Sequence, residues 1–289
     1  MYEYPQWLKK RLIINDNLFG MKRILAEYSI NTVCESSLCP NLNECFSRKW
    51  ATFLILGEIC SRACTFCSVR HDLPGKIDSA EPEKISNIVK RLDLRYVVIT
   101  SVTRDDLYDG GSGQFVKVVE AIRDLSKDVR IELLVPDFVG KRAAIERVIK
   151  IGPDIFGHNI ETVQRLYSVA KAGSDYYRSL GLLRMAKGID SNQLTKSGIM
   201  VGLGETEEEV IKAMKDLRRA QCDILTIGQY LRPGKYNPAV KEFITPEEFK
   251  KYKIIGEELG FKLVSSGPFV RSSYFAEEIY NRIRSFGCS

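Results

Sequence analysis

The sequence predicts an α/β protein, a partial six-stranded parallel β/α barrel with an extension at each end. Six short apolar runs of buried-strand character recur along the chain. The intervals between them carry amphipathic helical patterns, the order that a parallel sheet with crossover helices requires. Polar residues gather directly after each run, where barrels of this kind build their active sites. At 289 residues the chain can bury a sizeable core and still fall within the range of one barrel domain.

In chain order, the first strand is expected at Thr52–Gly57, followed by Tyr96–Thr100, Arg130–Val135, Ile155–His158, Gly198–Val201 and Ile224–Gly228. The clearest helix starts at Thr206, a capping residue followed by Glu207, Glu208 and Glu209, with Val210, Met214 and Leu217 on one face. The strand ends lead into Cys60–Cys67, Ser101–Asp106, Pro136-Asp137, Asn159 with Glu161, Gly202–Glu205 and Gln229–Pro233 in turn. Six strands cannot close the ring that eight close, so one side is expected to stay open unless the terminal extensions cover it, and such an opening suits a substrate presented by another protein. The division expected is an N-terminal extension over 1–50, the barrel over 51–240 and a C-terminal extension over 241–289. Gly110–Gly113 is the one strongly flexible patch expected.

The first twelve residues contain no apolar stretch of signal-peptide length, and no later run approaches a membrane span, so a cytoplasmic chain without membrane contact is expected. The formal charge of +6 is spread without a long basic block, so composition demands no nucleic acid and equally allows an acidic protein partner. Of eight cysteines, six crowd between Cys34 and Cys67. Without an export signal, that crowding favours metal or redox chemistry over disulfides.

Cys60, Cys64 and Cys67 form a C-x3-C-x2-C pattern on a loop directly after a strand. Zinc would need a fourth ligand and favours paired C-x2-C units, and a ferredoxin cluster takes four thiolates. Three thiolates leave one iron of a cluster open. Upstream, Cys34, Cys39 and Cys45 form C-x4-C-x5-C, which matches no zinc-finger spacing and reads as a second cluster.

The first triad in its barrel context resembles the radical SAM superfamily, in which the open iron chelates S-adenosylmethionine and electron transfer yields a 5′-deoxyadenosyl radical. Both triads together, with Ala51–Gly57, Arg104-Asp105-Asp106, Asp109-Gly110-Gly111, His158–Val163, Gly228–Leu231 and Gly267–Tyr274, resemble the lipoyl synthase family from about residue 5 to 276. That resemblance implies two 4Fe-4S clusters and a sulfurtransferase of lipoate biosynthesis. Two sulfur atoms would be inserted at C6 and C8 of an octanoyl chain on a lipoyl carrier domain or glycine cleavage H protein. It further implies that the second cluster is the sulfur source, with Ser273 of Arg271-Ser272-Ser273-Tyr274 as its fourth ligand; from sequence alone both serines could merely cap a helix starting near Tyr274. Ferredoxin or flavodoxin as electron donor and an iron-sulfur carrier for renewing the cluster follow from the same resemblance. The family pattern places S-adenosylmethionine against Gly198–Glu205, with Asn159, Glu161, Gly202 and Glu205 as candidate contacts. Gly202 and Gly204 equally suit a tight turn, and Glu161 a helix cap.

The chain departs from the family at Trp50, Arg232 and Asn237, and at Lys171, where an Arg-Pro pair is usual and bidentate geometry is lost. His71 and His158 read as hydrogen-bonded structural residues, Cys222 as core and Cys288 as a bystander in the chain terminus. Arg104, Asp105 and Asp106 form either a surface ion network or part of the site. The competing readings are a tRNA-modifying sulfur inserter, which would carry a basic RNA-binding domain, and an iron-sulfur electron carrier, which would need no barrel.

Overall fold

The computed structural model describes residues 4–286. The N-terminal part supplies α1 (Asp16–Tyr28), β1 (Asn31–Thr32), α2 (Val33–Ser36) and α3 (Leu42–Ser47). The repeating core follows as β2 (Thr52–Ile55), α4 (Glu81–Arg91), β3 (Tyr96–Ser101), α5 (Ser112–Leu125), β4 (Arg130–Leu134), α6 (Arg142–Lys150) and β5 (Ile155–Gly157). It continues through α7 (Tyr167–Ala170), α8 (Tyr176–Ile189), β6 (Leu194–Val201), α9 (Glu207–Arg219), β7 (Ile224–Gln229), α10 (Pro246–Glu258), β8 (Leu263–Gly267) and α11 (Ala276–Phe286).

The strands form one sheet in sequence order, β1 to β8, and it is open because β1 pairs only with β2 and β8 only with β7. The six expected strands are all present, but the sheet has eight. Both additions come from the extensions: β1 runs antiparallel to β2, pairing Thr32 with Phe53, and β8 is parallel to β7, pairing Val264 with Leu225. Leu263–Gly267 has one buried residue among its five and β1 is two residues long, so neither shows the continuous apolar run that marks an inner strand.

The helix expected after Thr206 is α9, and its capping box is complete: Thr206 accepts from the Glu209 amide while the Glu209 carboxylate accepts from the Thr206 amide. At the lower end of the sheet, Ile279, Tyr280 and Ile283 of α11 pack on Ile155 and Ile224, at the starts of β5 and β7. That plug leaves the opposite end, where the strands finish, for the site. Gly110–Gly113 is ordered rather than flexible. Gly111 sits at φ +87° at the start of α5, where a Cβ would meet Leu56 Cδ1 at 2.3 Å, and Asp109 accepts from the Gly111 and Gly113 amides. Cys222 is fully buried, as expected of a core thiol, and Cys288 lies outside the described residues. No helix among the described residues is long and apolar enough to cross a membrane.

Candidate iron-sulfur and cofactor site

Cys60, Cys64 and Cys67 lie on the loop after β2. The loop is closed at its base, where the Cys60 amide donates to Arg70 O and the Asp72 amide to Cys60 O. Backbone amides point at the sulfurs: those of Arg62 and Thr103 lie 3.4 and 3.3 Å from Cys60 Sγ, and that of Val69 lies 3.4 Å from Cys67 Sγ. Segments that follow four other strands hold this loop. Arg62, inside the motif, makes a bidentate pair with Asp105 at 2.6 and 2.9 Å and reaches Asp137 at 2.7 Å and Ser174 at 2.8 Å. Burial alone would raise the Asp137 pKa, but the Arg62 guanidinium holds the carboxyl well below the usual range. Asn237, from the loop after β7, donates to Thr65 O and Cys67 O at 2.9 and 3.0 Å. Arg104 is buried and joins Asp106 at 2.8 Å, Gly75 O and Leu56 O, so the Arg-Asp-Asp run braces the loop and is not a surface network.

The second set is assembled from both chain ends. Thr32 caps α2 by accepting from the Glu35 amide, which places Cys34 inward; Cys39 follows α2, and Cys45 lies in α3. The C-terminal segment is strapped over them. Asn41 donates to Phe269 O at 2.7 Å, Tyr274 donates to Glu44 at 2.9 Å, and Lys10 bridges Asn41 and Glu44. The strap crosses β7 so closely that a Cβ on Gly228 would lie 2.0 Å from Val270 O. Cys34, Cys39, Cys45, Thr52, Arg271 and Ser273 thus line one small cavity of about 40 Å³. The helix expected near Tyr274 begins at Ala276, so Ser272 and Ser273 sit before its first turn.

Burial, then the neighbouring Cys39, pushes the Cys34 thiol up to about 12, and burial, then Cys34, does the same for Cys45. Burial raises Cys67 to about 12 and Cys64 to about 11. Such thiols are inert nucleophiles, and loading with metal must displace their protons. No three His, Cys, Asp or Glu side chains among the described residues converge as on a single metal ion.

Both sets open onto one larger cavity of about 620 Å³, lined by Cys60, Cys64 and Cys67, by Cys34 and Cys39, and by Ser273. Asn159 and Glu161 form its wall between the sets. Asn159 Nδ2 donates to Glu161 Oε1 at 3.0 Å and to Ser272 Oγ at 2.6 Å, while Asn159 Oδ1 is buried without a partner. Glu161 bridges to β6 through Gly198 O and the Met200 amide, and burial raises its pKa. Two cations face the same space with no carboxylate within 4.0 Å among the described residues. Lys171 is held by Asn159 O at 2.7 Å and Tyr167 Oη at 3.1 Å, and Arg271 lies near Cys39 and Glu161 with its pKa lowered by burial. An orphaned acceptor, a carboxylate and two free cations fit a zwitterionic ligand beside anionic clusters.

Gly202 and Glu205 stand outside the wall of this cavity. The Glu205 carboxylate accepts from the Gly202 and Leu203 amides and so shapes the turn after β6. His158 bonds Val135 O at 2.8 Å and Ser179 Oγ at 2.9 Å; burial, then Lys171, pushes it down to about 3, so it is a neutral structural residue. His71 is exposed and only its backbone bridges to Cys60. Trp50 stacks edge-on against Phe275 at 5.3 Å beside the second cysteine set, and Arg232 is spent on the Asn237 and Lys235 carbonyls. Sequence reasoning missed Thr52, Arg62 and Asn41 as supports of the site; a lone Thr, Arg or Asn gives no signal until the loops meet.

An open parallel barrel with a C-x3-C-x2-C loop at the mouth of its first inner strand defines a class, and the radical SAM superfamily model matches residues 54–217, so the chain belongs to that superfamily. Solved structures share the fold at low identity: HydG, a maturase of the FeFe-hydrogenase, has a TM-score of 0.60 at 16% identity, covering 92% of this chain and 70% of HydG. Methylornithine synthase PylB has a TM-score of 0.55 at 13% identity, covering 95% of this chain and 90% of PylB. Within the superfamily the chain belongs to the lipoyl synthase family. It is 53% identical over 273 residues to lipoyl synthase of Caldanaerobacter subterraneus subsp. tengcongensis, covering 94% of this chain and 95% of that protein. It is 51% identical to lipoyl synthase of Caldicellulosiruptor bescii, covering 94% of each.

Proposed function

We propose that this chain is a lipoyl synthase working through the shared cavity: it inserts two sulfur atoms, at C6 and C8, into a protein-bound octanoyl chain. The observation that carries this reading is that two separate cysteine sets open onto one space large enough for a nucleoside and an acyl chain. Its cofactors are two 4Fe-4S clusters and S-adenosylmethionine. In this reading Cys60, Cys64 and Cys67 hold the cluster that binds S-adenosylmethionine, and Cys34, Cys39, Cys45 and Ser273 hold the other. The first centre supplies a carbon radical able to remove hydrogen from an unactivated methylene, and the second supplies sulfur.

The protein's own work is positioning. The unpartnered Asn159 Oδ1 and the Glu161 carboxylate suit the ammonium of methionine or ribose hydroxyls, and Lys171 suits the carboxylate. Gly202 and Glu205 act indirectly, by fixing the turn after β6. Arg271, whose charge acts on both Cys39 and Glu161, brings a positive charge to the cavity that both cysteine sets line. Leu54, Val102, Leu134 and Tyr230 give the walls apolar character, which suits an acyl chain and excludes water.

The three-part division is functional on this reading: 1–50 brings sulfur-side cysteines, 51–240 the radical side, and 241–289 the strap with Ser273. The octanoyl chain arrives on a lipoyl carrier domain or glycine cleavage H protein. A ferredoxin or flavodoxin supplies electrons and an iron-sulfur carrier rebuilds the second cluster, all in the cytoplasm. The test is mass spectrometry of an octanoylated carrier peptide incubated anaerobically with the reconstituted protein, S-adenosylmethionine and reductant. A dithiolated product is expected; an unchanged peptide alongside 5′-deoxyadenosine would remove the substrate assignment.

A further inference from the structure

We propose that Thr52 is the positioning residue that holds the Ser273 oxygen in the fourth corner of the second cluster, and that its hydroxyl sets how fast that corner loses iron. This rests on Ser273 being a ligand, as read above. Thr52 is the first residue of β2, buried, with its main chain fixed by parallel pairing opposite Val98. Its Oγ1 donates to Ser273 Oγ at 2.7 Å. Cys34 lines the same small cavity as Thr52 and Ser273, and the nearby Thr52 amide and hydroxyl counter the upward push of burial on its thiol. One residue on a rigid strand therefore binds Ser273 and stands beside Cys34 in the same cavity, one candidate ligand from each end of the chain.

The two ligands differ in how they are supported. Cys34 lies in a capped helical turn, and the pairing of β1 with β2 places that turn against Thr52. Ser273 has no such frame: it lies between β8 and α11, in a turn closed by the Tyr274 amide donating to Arg271 O. A serine side chain there can rotate among three staggered wells, and only the orientation toward the cysteines can bind iron. The Thr52 hydroxyl selects it. A β-branched threonine on a strand has a restricted χ1, so the donor is itself immobile. The single hydroxyl proton is given to Ser273, while the Thr52 amide is left to act on Cys34. Outer contacts of this kind are typically worth ten- to a hundredfold in metal affinity.

The test uses full-length protein reconstituted anaerobically with 57Fe, comparing wild type with Thr52→Val, Thr52→Ser and Ser273→Ala. Mössbauer spectra report the oxygen-ligated iron, and a chelator reports its release. Thr52→Val keeps shape and removes only the hydroxyl; the oxygen-ligated site should broaden or vanish and its iron should leave about tenfold faster or more. Thr52→Ser restores the hydroxyl and should stay within about twofold of wild type. If Ser273→Ala has the wild-type spectrum and release rate, the ligand reading itself fails. If Ser273→Ala is altered while Thr52→Val matches wild type, or if Thr52→Ser is as fast as Thr52→Val, the serine ligand stands and the role of Thr52 is overturned.

Discussion

The two cysteine sets face the same cavity but are built in opposite ways. Cys60, Cys64 and Cys67 come from eight consecutive residues, braced from outside by Asp105, Asp137 and Asn237 on the loops after β3, β4 and β7. On the proposed reading, Cys34, Cys39 and Cys45 take a further ligand from more than two hundred residues away, on a strap that Asn41, Glu44 and Thr52 hold down. A centre that is kept through every turnover can afford a continuous loop with a charged brace. With Ser273 as proposed, a centre that is dismantled would benefit from one ligand on a separate segment, because an oxygen donor holds soft iron less firmly than thiolate does.

The largest effect expected is the complete separation of the two halves. Anaerobic reconstitution should give about eight irons per chain, four per cluster. Replacing Cys60, Cys64 and Cys67 by Ala should abolish 5′-deoxyadenosine formation, whereas replacing Cys34, Cys39 and Cys45 should abolish lipoyl product while 5′-deoxyadenosine still forms. Chromatographic assay of both products decides it, and lipoyl product at normal yield from the second variant would end the contrast between radical and sulfur sides.

Next in size, the adjacent serines should divide between the regions. Ser273→Ala is expected to lower lipoyl product at least about tenfold. Ser272, which accepts from Asn159, should act on the other half: Ser272→Ala should weaken S-adenosylmethionine binding about five- to tenfold, the worth of one hydrogen bond. Equilibrium binding of the cofactor to both variants measures this, and identical affinities would dissolve the boundary drawn between them.

The brace of the first loop should be mainly a matter of stability. Arg62→Ala leaves fully buried Asp137 with Arg178 as its remaining ion-pair partner, at a cost of about 3 kcal/mol. Thermal unfolding of the apoprotein should show the loss, Arg62→Lys should recover part of it without the bidentate fork, and a neutral Arg62→Ala would show that the brace is decorative.

The smallest effect is a pH dependence on the same side. His158 is neutral in the fold down to about 3, yet takes a proton near 6.5 when unfolded. Unfolding therefore takes up a proton between those limits, and stability present above 6.5 is lost as pH falls, by at most about 1.4 kcal/mol per pH unit. Urea unfolding of the apoprotein at pH 7 and pH 5 should reveal it, and His158→Gln should flatten the slope. An unchanged slope in that variant would assign acid sensitivity elsewhere.

The inner strands, the capped helix at Thr206 and both cysteine triads were legible in the sequence because each depends on neighbours in the chain. Apolar runs, a Thr followed by Glu three places on, and fixed thiolate spacings are local patterns. The two outer strands were not legible, since edge strands carry half-exposed residues without an apolar signature. Gly110–Gly113 read as flexible because glycine permits many conformations; the contact of Gly111 with Leu56 is what selects one.

By itself, then, the sequence determined the barrel and the cysteine spacing, and through family resemblance it pointed to the chemistry and to Ser273. Only the tertiary structure decided that both cysteine sets share one cavity. It alone put Asn159 on Ser272 and Glu161, spent Glu205 on a turn, and set Thr52 between Cys34 and Ser273. Spacing along a chain fixes which ligands can share a loop, whereas contacts between residues far apart in sequence exist only after the strands have paired and the C-terminal strap has crossed β7.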